Sequence, residues 1–307
     1  MARRCVVVGL VLAVLAGWAA SAEAAGVFIV SRAGVTAYND AKAGFMQMAY
    51  SLQLPGFNPK TVELNGTAAD DAALAVLKAQ NPSLVYAVGS YAARKVRESV
   101  PDAWVVYSMV YYPEVEGFTD DPKMVGVASL GPPKALAGLL KALGVKTKGL
   151  VFIHSAAIQK AVPGLLSKLN SEGFDGTAKS VASDKDLQAA LDSVKDQAKL
   201  ILLLPDPVTS NPDAVRFVVS QCIAAKIPPV SLSEAMVSDG ALCGSFYPAS
   251  AIGNQAAKVA QALLASGQVQ GERVVAPIES QTALNKGTAD AMRITPPKGL
   301  NIEVTYE

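Results

Sequence analysis

The chain has 307 residues, 51% of them apolar, with 27 basic and 26 acidic side chains. Basic and acidic side chains are therefore almost equal in number, which excludes the concentrated basic face that nucleic-acid binding requires. One histidine and no paired-cysteine motif also argue against a metal site, and no phosphate-binding loop signature suggests a nucleotide cofactor. We expect no cofactor, and the length predicts two lobes.

The first predicted element is a cleavable secretory signal at residues 1–24. Two arginines precede the apolar run VVVGLVLAVLAGWAA, and Ala22 and Ala24 have the spacing of a signal peptidase site. The run is shorter than the roughly 20 residues that span a bilayer, which disfavours an uncleaved anchor. The sequence therefore predicts a periplasmic or otherwise secreted protein.

After the signal, short apolar runs alternate with amphipathic helical patterns, as in βαβ units on a parallel sheet. The first series predicts strands at 27–32, 61–64, 83–90, 103–110 and 124–130, and helices at 37–53, 70–80, 91–99 and 132–143. The second series predicts strands at 149–155, 200–205, 228–233 and 241–246, and helices at 157–173, 184–197 and 213–226. Pro163 is predicted to kink the helix at 157–173.

Two such series predict an α/β fold of two doubly wound parallel-sheet lobes with a ligand cleft between them. No low-complexity linker separates the series, which favours lobes joined by several short crossings.

Polar residues at the strand ends of the first lobe are candidates for this cleft. Ser31, Arg32, Tyr38 and Asn39 follow the first strand, although an ordinary polar loop explains them equally well.

Further along the first lobe, Gly89 and Ser90 fall at a predicted helix N-terminus, where free N–H groups suit a carboxylate. The alternative for Ser90 is a plain helix cap. Ser108 lies beside Tyr107, Tyr111 and Tyr112 at another strand end, where aromatic rings suit a cleft wall or pack under a loop.

Two candidates end strands of the second lobe. His154 lacks any nucleophile signature, so a cleft-lining or capping role is favoured over a catalytic one. Asp206 follows the apolar run LILLL between two prolines that stiffen its loop. A carboxylate held there suits a ligand ammonium, and its alternative is an Asx turn. Asn211 is the better candidate for the helix cap, because it directly precedes a proline.

Cys222 and Cys243 would remain in the secreted chain. The pattern leaves open whether they form a disulfide or are two buried small apolar residues.

Several stretches, taken in order, carry a family resemblance. The matching pieces are AYNDAKAGF, NPSLVYAVGSYAA, VVYSMVYYPE, LLLPDPVTSNPDAVRFVVSQCIAAKIPPVSLSEAMVSDGALCGSF, AIGNQAAKVAQALLASG and LNKGTADAMRITPP. The chain resembles the ABC-transporter substrate-binding proteins of the type I periplasmic-binding fold, in the family whose structurally known members hold aromatic amino acids.

The resemblance implies a non-enzymatic receptor that closes two lobes over a small solute and presents it to a membrane permease. It implies crossings near residues 130, 248 and 277, with one lobe at 26–129 plus 249–276 and the other at 130–248 plus 277–307. We expect a monomer. The resemblance assigns the carboxylate end of the solute to Ser90 and Tyr91, the adjacent wall to Ser108 and Met109, the ammonium to Asp206, and the last loop to Ser233 and Glu234.

Two alternatives stay open at this point. One is a periplasmic sensory or accessory binding protein that is not coupled to import, because its cleft would obey the same physics. The other, more remote, is a secreted hydrolase that uses His154.

Overall fold

A computed structural model of the protein describes residues 26–209 and 211–307. The predicted signal segment, residues 1–24, lies outside these ranges. Among the described helices, none is both long and apolar enough to cross a membrane.

The described chain alternates strands and helices almost throughout. The strands are β1 (Val27–Arg32), β2 (Phe57–Leu64), β3 (Leu84–Val88), β4 (Trp104–Ser108), β5 (Met124–Val127), β6 (Leu150–Ser155), β7 (Thr177–Val181), β8 (Leu200–Leu203), β9 (Pro229–Ser231), β10 (Cys243–Phe246), β11 (Val274–Val275), β12 (Gln281–Asn285) and β13 (Val304–Tyr306). The helices are α1 (Thr36–Ser51), α2 (Ala69–Ala79), α3 (Ser90–Ser99), α4 (Pro113–Glu116), α5 (Pro133–Ala142), α6 (Val162–Ser171), α7 (Leu187–Val194), α8 (Pro212–Ala225), α9 (Glu234–Ser238), α10 (Ala249–Ser266) and α11 (Lys286–Ala291).

These strands form two sheets, one in each lobe. The first has the order β2-β1-β3-β4-β5-β11 and is parallel throughout. The second has the order β7-β6-β8-β9-β10-β12-β13, and β12 pairs antiparallel with β10. The strand order reverses between β1 and β3 in the first sheet and between β6 and β8 in the second. Both sheets are therefore doubly wound, which confirms the predicted fold class.

Each sheet separates two apolar clusters, so its central strands are buried on both faces. Val27 and Ile29 point to one cluster of the first sheet, and Phe28 and Val30 point to the other. The residues of β3 and β8, LVYAV and LILL, are all buried. A strand covered on both sides reads as a continuous apolar run, which is why these segments are visible in the sequence.

The chain passes between the sheets three times: at residues 128–132, 247–248 and 276–280. After the second passage, α10 packs along α1 of the first lobe with backbone against backbone. A Cβ atom on Gly253 would collide with the carbonyl oxygen of Ala41, and one on Gly44 would collide with Ser250. Glycine at these two positions therefore allows the close approach that returns α10 to the first lobe.

The predicted kink at Pro163 is wrong. A 3₁₀ turn covers Ala156–Ile158, and α6 begins at Val162 with Pro163 in its first turn. The first turn of a helix does not need the N–H group that proline lacks, so Pro163 fits the start of α6 without interrupting an intrahelical hydrogen bond.

The observed strands differ from the predicted ones where apolar and polar side chains do not alternate along the sequence. The strand predicted at 61–64 begins at Phe57, and the sequence pattern does not predict β7, β11, β12 or β13. Four of the five residues of β7 are exposed, because it is an edge strand of the second sheet. An exposed edge strand has no apolar period to detect.

Cys222 and Cys243, the cysteines within the described residues, are buried free thiols. Cys222 lies in the apolar cluster on one face of the second sheet, and Cys243 lies in the cluster on the other face. The sheet between them prevents a disulfide. Burial raises the pKa of each thiol to about 12.

Candidate functional site

A cleft with a volume of about 340 Å³ lies between the two lobes. It borders the carboxyl ends of strands from both sheets, where open α/β folds bind ligands. The first lobe contributes Ser90, Tyr111, Tyr112, Val115 and Glu116, and the second contributes Ala157, Ile158, Pro205, Asp206 and Pro207.

Ser90 lines this cleft from the first lobe and directly follows Gly89, at the reversal point between β1 and β3. Gly89 has φ +91°, and a Cβ atom there would lie 2.5 Å from the hydroxyl of Tyr38. Ser90 is the first residue of α3, and the N-cap position is Gly89, which makes no side-chain capping bond. The first N–H groups of a helix lack intrahelical acceptors, so this end of α3 suits an anion.

Ser31 and Ser108 lie on either side of β3 at the same level of the sheet, opposite Val88. Both serines are fully buried. The Ser108 hydroxyl is 2.7 Å from the hydroxyl of Tyr86. The Ser31 Oγ has no hydrogen-bond partner among the described residues. An unpaired buried hydroxyl costs about 1–3 kcal/mol, so Ser31 has bonding capacity for a ligand or a bound water.

Arg32 and Tyr91 form the rim of the same strand end. The Arg32 guanidinium lies 5.5 Å from the ring centroid of Tyr91, a cation–π contact. Tyr91 donates a hydrogen bond to Asp70 at 2.8 Å, which directs its phenol toward α2. Burial raises the pKa of Tyr38, and the nearby charge of Arg32 opposes that rise. Arg32 therefore places a positive charge close to Tyr38.

The segment after β4 forms the aromatic wall of the cleft. Met109 has φ +56°, a left-handed conformation that turns the chain toward Tyr111 and Tyr112. Burial raises the pKa of Tyr111; Tyr38 also raises it, and an interaction with the Ser233 side chain lowers it. Tyr111 therefore lies close to Tyr38 of the first lobe and to Ser233 of the second.

Tyr112 reaches further into the second lobe. Its ring packs against the apolar cluster that contains Ile158, while its buried hydroxyl has no hydrogen-bond partner among the described residues. Burial is the main cause that raises the pKa of this hydroxyl, and the negative charge of the Asp206 carboxylate raises it further. A first-lobe side chain therefore reaches the vicinity of Asp206.

Asp206 occupies the second reversal point, between β6 and β8, and is 1% exposed. One carboxylate oxygen accepts hydrogen bonds from Ser155 N and Ser155 Oγ, at 3.0 and 2.9 Å. The other accepts one from Val208 N at 2.8 Å, which closes an Asx turn. The Asx-turn alternative is therefore present together with the bonds to Ser155. Asn211 caps α8, as the sequence predicts.

The remaining predicted site residues have other surroundings. His154 is buried, with its ring 5.3 Å from that of Phe152 and its Nδ1 2.8 Å from the carbonyl oxygen of Ser155. Ser233 is buried next to α9, and its N–H donates to Ser231 Oγ. Glu234 accepts a hydrogen bond from Tyr306 at 2.8 Å and is not among the residues that line the cleft.

Ser155 is a site residue that the sequence reasoning missed. Ser155 is the last residue of β6, a position similar to that of Ser31 near the end of β1. It supplies two of the hydrogen bonds that hold Asp206. The matching position of the two serines in their series is the signal that could have identified it.

Comparison with known proteins gives a consistent result. The family model described as ABC transporter substrate binding protein matches residues 57–305. A search of curated protein sequences found no match.

Solved structures share the fold at low sequence identity. A conserved domain protein from Vibrio cholerae O1 biovar El Tor has 17% identity and a TM-score of 0.63, covering 92% of this chain and 99% of that one. The ligand-free, open structure of CD0873, a substrate-binding protein with adhesive properties from Clostridium difficile, has 14% identity and a TM-score of 0.72, with the same coverage. An ABC domain from Streptococcus pneumoniae in complex with L-Trp has 17% identity and a TM-score of 0.59, covering 91% of this chain and 99% of that one.

Proposed function

Because the chain belongs to the ABC transporter substrate-binding protein family, we propose that it captures a small, amino-acid-like solute by closure of its two lobes. The solute then passes to the membrane permease of an ABC importer. One observation carries the proposal: Ser90 and Asp206 line the same cleft from opposite lobes. A helix N-terminus faces a carboxylate across this cleft, which matches the two charges of a zwitterion.

The first-lobe end suits the carboxylate of the solute. The N-terminal N–H groups of α3 and the Ser90 hydroxyl supply donors, and the unpaired Ser31 Oγ lies at the end of the adjacent strand. Arg32 adds a positive charge at the rim. Donors held by a rigid helix and strand bind an anion without reorganisation, which favours affinity.

The second-lobe end suits the ammonium. Ser155 and Val208 donate the hydrogen bonds that fix the Asp206 carboxylate in place beside the cleft. A buried carboxylate gains strongly from a cation at bonding distance. In this proposal the ligand ammonium binds at the Asp206 carboxylate, and closure brings the rest of the solute against the first lobe.

The tyrosines near the cleft favour a solute with an apolar or aromatic side chain. Tyr111 and Tyr112 form one wall, and Tyr38 stands beside Gly89. Such rings provide large contact areas at a small cost in conformational entropy. The Streptococcus pneumoniae neighbour was solved with L-Trp, so aromatic amino acids are the first solutes to test.

The experiment is a thermal-shift screen of the purified secreted chain against the L-amino acids, followed by calorimetry. A solute at a hundred times its dissociation constant should add about 2.7 kcal/mol of stability. The matching amino-acid amide and the deaminated acid remove one charge each, and both should bind more weakly. A stabilising solute of another class, with no response to any amino acid, would contradict the zwitterion assignment.

Export and delivery are separate parts of the proposal. We expect a periplasmic or otherwise secreted monomer from which residues 1–24 are removed, which N-terminal sequencing of the exported protein tests. Uptake of labelled solute should fall when the gene is deleted. Normal uptake together with loss of a transcriptional response would favour the sensory alternative.

A further inference from the structure

A second cavity, of about 290 Å³, lies beside the three passages between the lobes. We call it the hinge cavity. Each passage contributes to its wall: Ser129 from the first, Tyr247 from the second and Ala276 from the third. Leu165 and Lys168 of α6 close it from the second lobe. Its volume lies just below the range of about 300–1,000 Å³ for small-molecule sites, so it suits a small occupant.

The hinge cavity is distinct from the cleft that holds Asp206. The linings of the two cavities share only Tyr111 and Tyr112. Tyr112 lines both cavities and packs against the same apolar cluster as Leu130 and Leu165, so this side chain stands between the two cavities. The proposed zwitterion and an occupant of the hinge cavity would therefore contact opposite sides of the same aromatic pair.

The chemistry of the wall defines the occupant. Its inner surface is mainly apolar, and the lining includes Val110, Leu130, Leu165, Leu232 and Val274. Two buried hydroxyl oxygens in this lining, Ser129 Oγ and Tyr112 Oη, have no hydrogen-bond partner among the described residues. Ser129 is 8% exposed, so solvent reaches it poorly.

The charged lining residues lie at the mouth of the cavity. Lys168 and Glu272 are exposed, and Glu114 is half-buried. Charges of both signs at the mouth select neither an anion nor a cation for the interior. An apolar body with one hydroxyl would cover the walls and pair with Ser129 or Tyr112.

From this combination we infer that the hinge cavity is a second binding site, for a neutral monocyclic phenol or alcohol. An occupant touches both lobes and all three passages. It therefore stabilises the arrangement of the lobes in which these walls meet, and acts on closure without entering the solute cleft.

The test uses 4-methylphenol as the probe and toluene, which lacks the hydroxyl, as its comparison. Calorimetry should show 4-methylphenol binding to the native chain, with toluene binding several-fold more weakly. In Leu165→Trp the indole fills the cavity, and affinity for 4-methylphenol should fall by about tenfold or more. Ser129→Ala, which preserves the volume, should weaken binding about fivefold.

Ser167→Trp is the matched control, because Ser167 is an exposed residue of α6 outside the cavity lining. This variant should bind the probe as the native chain does, and thermal melts should show all variants folded. Asp206→Ala should also keep probe binding, which separates this inference from the proposed solute function. Absence of binding to the native chain, equal binding by Leu165→Trp, or loss of binding in Asp206→Ala would overturn the inference.

Discussion

At the reversal point of the first lobe, between β1 and β3, the groups near the cleft are hydrogen-bond donors: the N-terminal N–H groups of α3, the hydroxyls of Ser31 and Ser90, and the Arg32 guanidinium. At the corresponding point of the second lobe, between β6 and β8, the group is the Asp206 carboxylate. The strand order around the two points is the same. The two lobes therefore offer opposite charge preferences from equivalent positions.

This difference shows that the fold determines the position of the binding loops, whereas single residues determine their charge. The strand order fixes where two loops meet a ligand, but the sign of the site depends on one or two side chains at each strand end. In the first lobe Gly89 allows Tyr38 to approach the backbone. In the second, Ser155 and Val208 hold a carboxylate. Changing these residues should alter binding at one end while leaving the other end intact.

The largest effect is expected for Asp206→Ala. Removing one partner of a buried charge pair costs about 2–5 kcal/mol, so affinity for an amino-acid solute should fall by about thirtyfold or more. Calorimetry measures this loss. The deaminated analogue of the solute, which has no ammonium, should bind the variant and the native chain equally well.

Two further variants serve as controls for Asp206. Asp206→Asn removes the charge and keeps the shape, so it should lose ammonium binding with a smaller change in stability. Glu234→Ala removes another second-lobe carboxylate, one that bonds to Tyr306 and does not line the cleft, and it should leave affinity nearly unchanged. Loss of affinity in Glu234→Ala, with retention in Asp206→Ala, would transfer the ammonium role to Glu234.

The next effect concerns the first lobe and Gly89→Ala. The φ of +91° strains any other residue by about 1–3 kcal/mol, and the new methyl group would also displace Tyr38. Gly34→Ala is the matched control, since Gly34 has φ +80° and nothing lies within 4 Å of its added Cβ. Urea unfolding should show a larger loss for Gly89→Ala. Equal losses would mean that the contact with Tyr38 contributes nothing.

The two lobes were not equally readable from sequence. Apolar runs buried on both faces predict β3 and β8, whereas the exposed edge strand β7 has no apolar pattern and is missed. Asp206 is conspicuous because it follows the five-residue apolar run LILLL and a proline. Its partner Ser155 is not, because the 51-residue separation is bridged only by folding. Similarly, nothing local shows that the Glu234 side chain bonds to Tyr306.

A third prediction uses the fact that the described buried thiols, Cys222 and Cys243, both lie in the second lobe, so only that lobe should respond to their ionisation. Their pKa values are raised to about 12 from an ordinary value of 9.0. A raised pKa gives stability that is fully present below pH 9 and is lost as pH rises toward 12. By pH 10 the loss is about 1.4 kcal/mol per thiol.

Urea unfolding at pH 8, 9 and 10 measures this loss. Cys222→Ala is less stable at every pH because it leaves a cavity, but its stability should decline less steeply with pH than that of the native chain. Hydrogen exchange should show second-lobe amides losing protection before first-lobe amides. Parallel pH profiles for the two chains would contradict the assignment of this loss to the thiol.

The smallest effect is expected where the lobes touch at their surfaces. Lys160 of the second lobe and Asp120 of the first form an ion pair, Nζ to Oδ2, at 3.6 Å, with side chains 59% and 77% exposed. An exposed pair contributes about 0.2–1 kcal/mol, and salt screens it. Lys160→Ala should therefore weaken solute binding by less than about fivefold at low ionic strength, because it removes a contact between the lobes.

Lys195→Ala is the matched control for Lys160→Ala. Lys195 pairs with Asp192 within the second lobe at 3.4 Å, with both side chains 54% exposed, so its loss cannot favour one arrangement of the lobes over another. Titrations at low and high salt should converge for Lys160→Ala and the native chain as salt rises. Equal effects of the two substitutions would show that the Lys160–Asp120 pair does not assist closure, which would then depend on the ligand bridging Ser90 and Asp206.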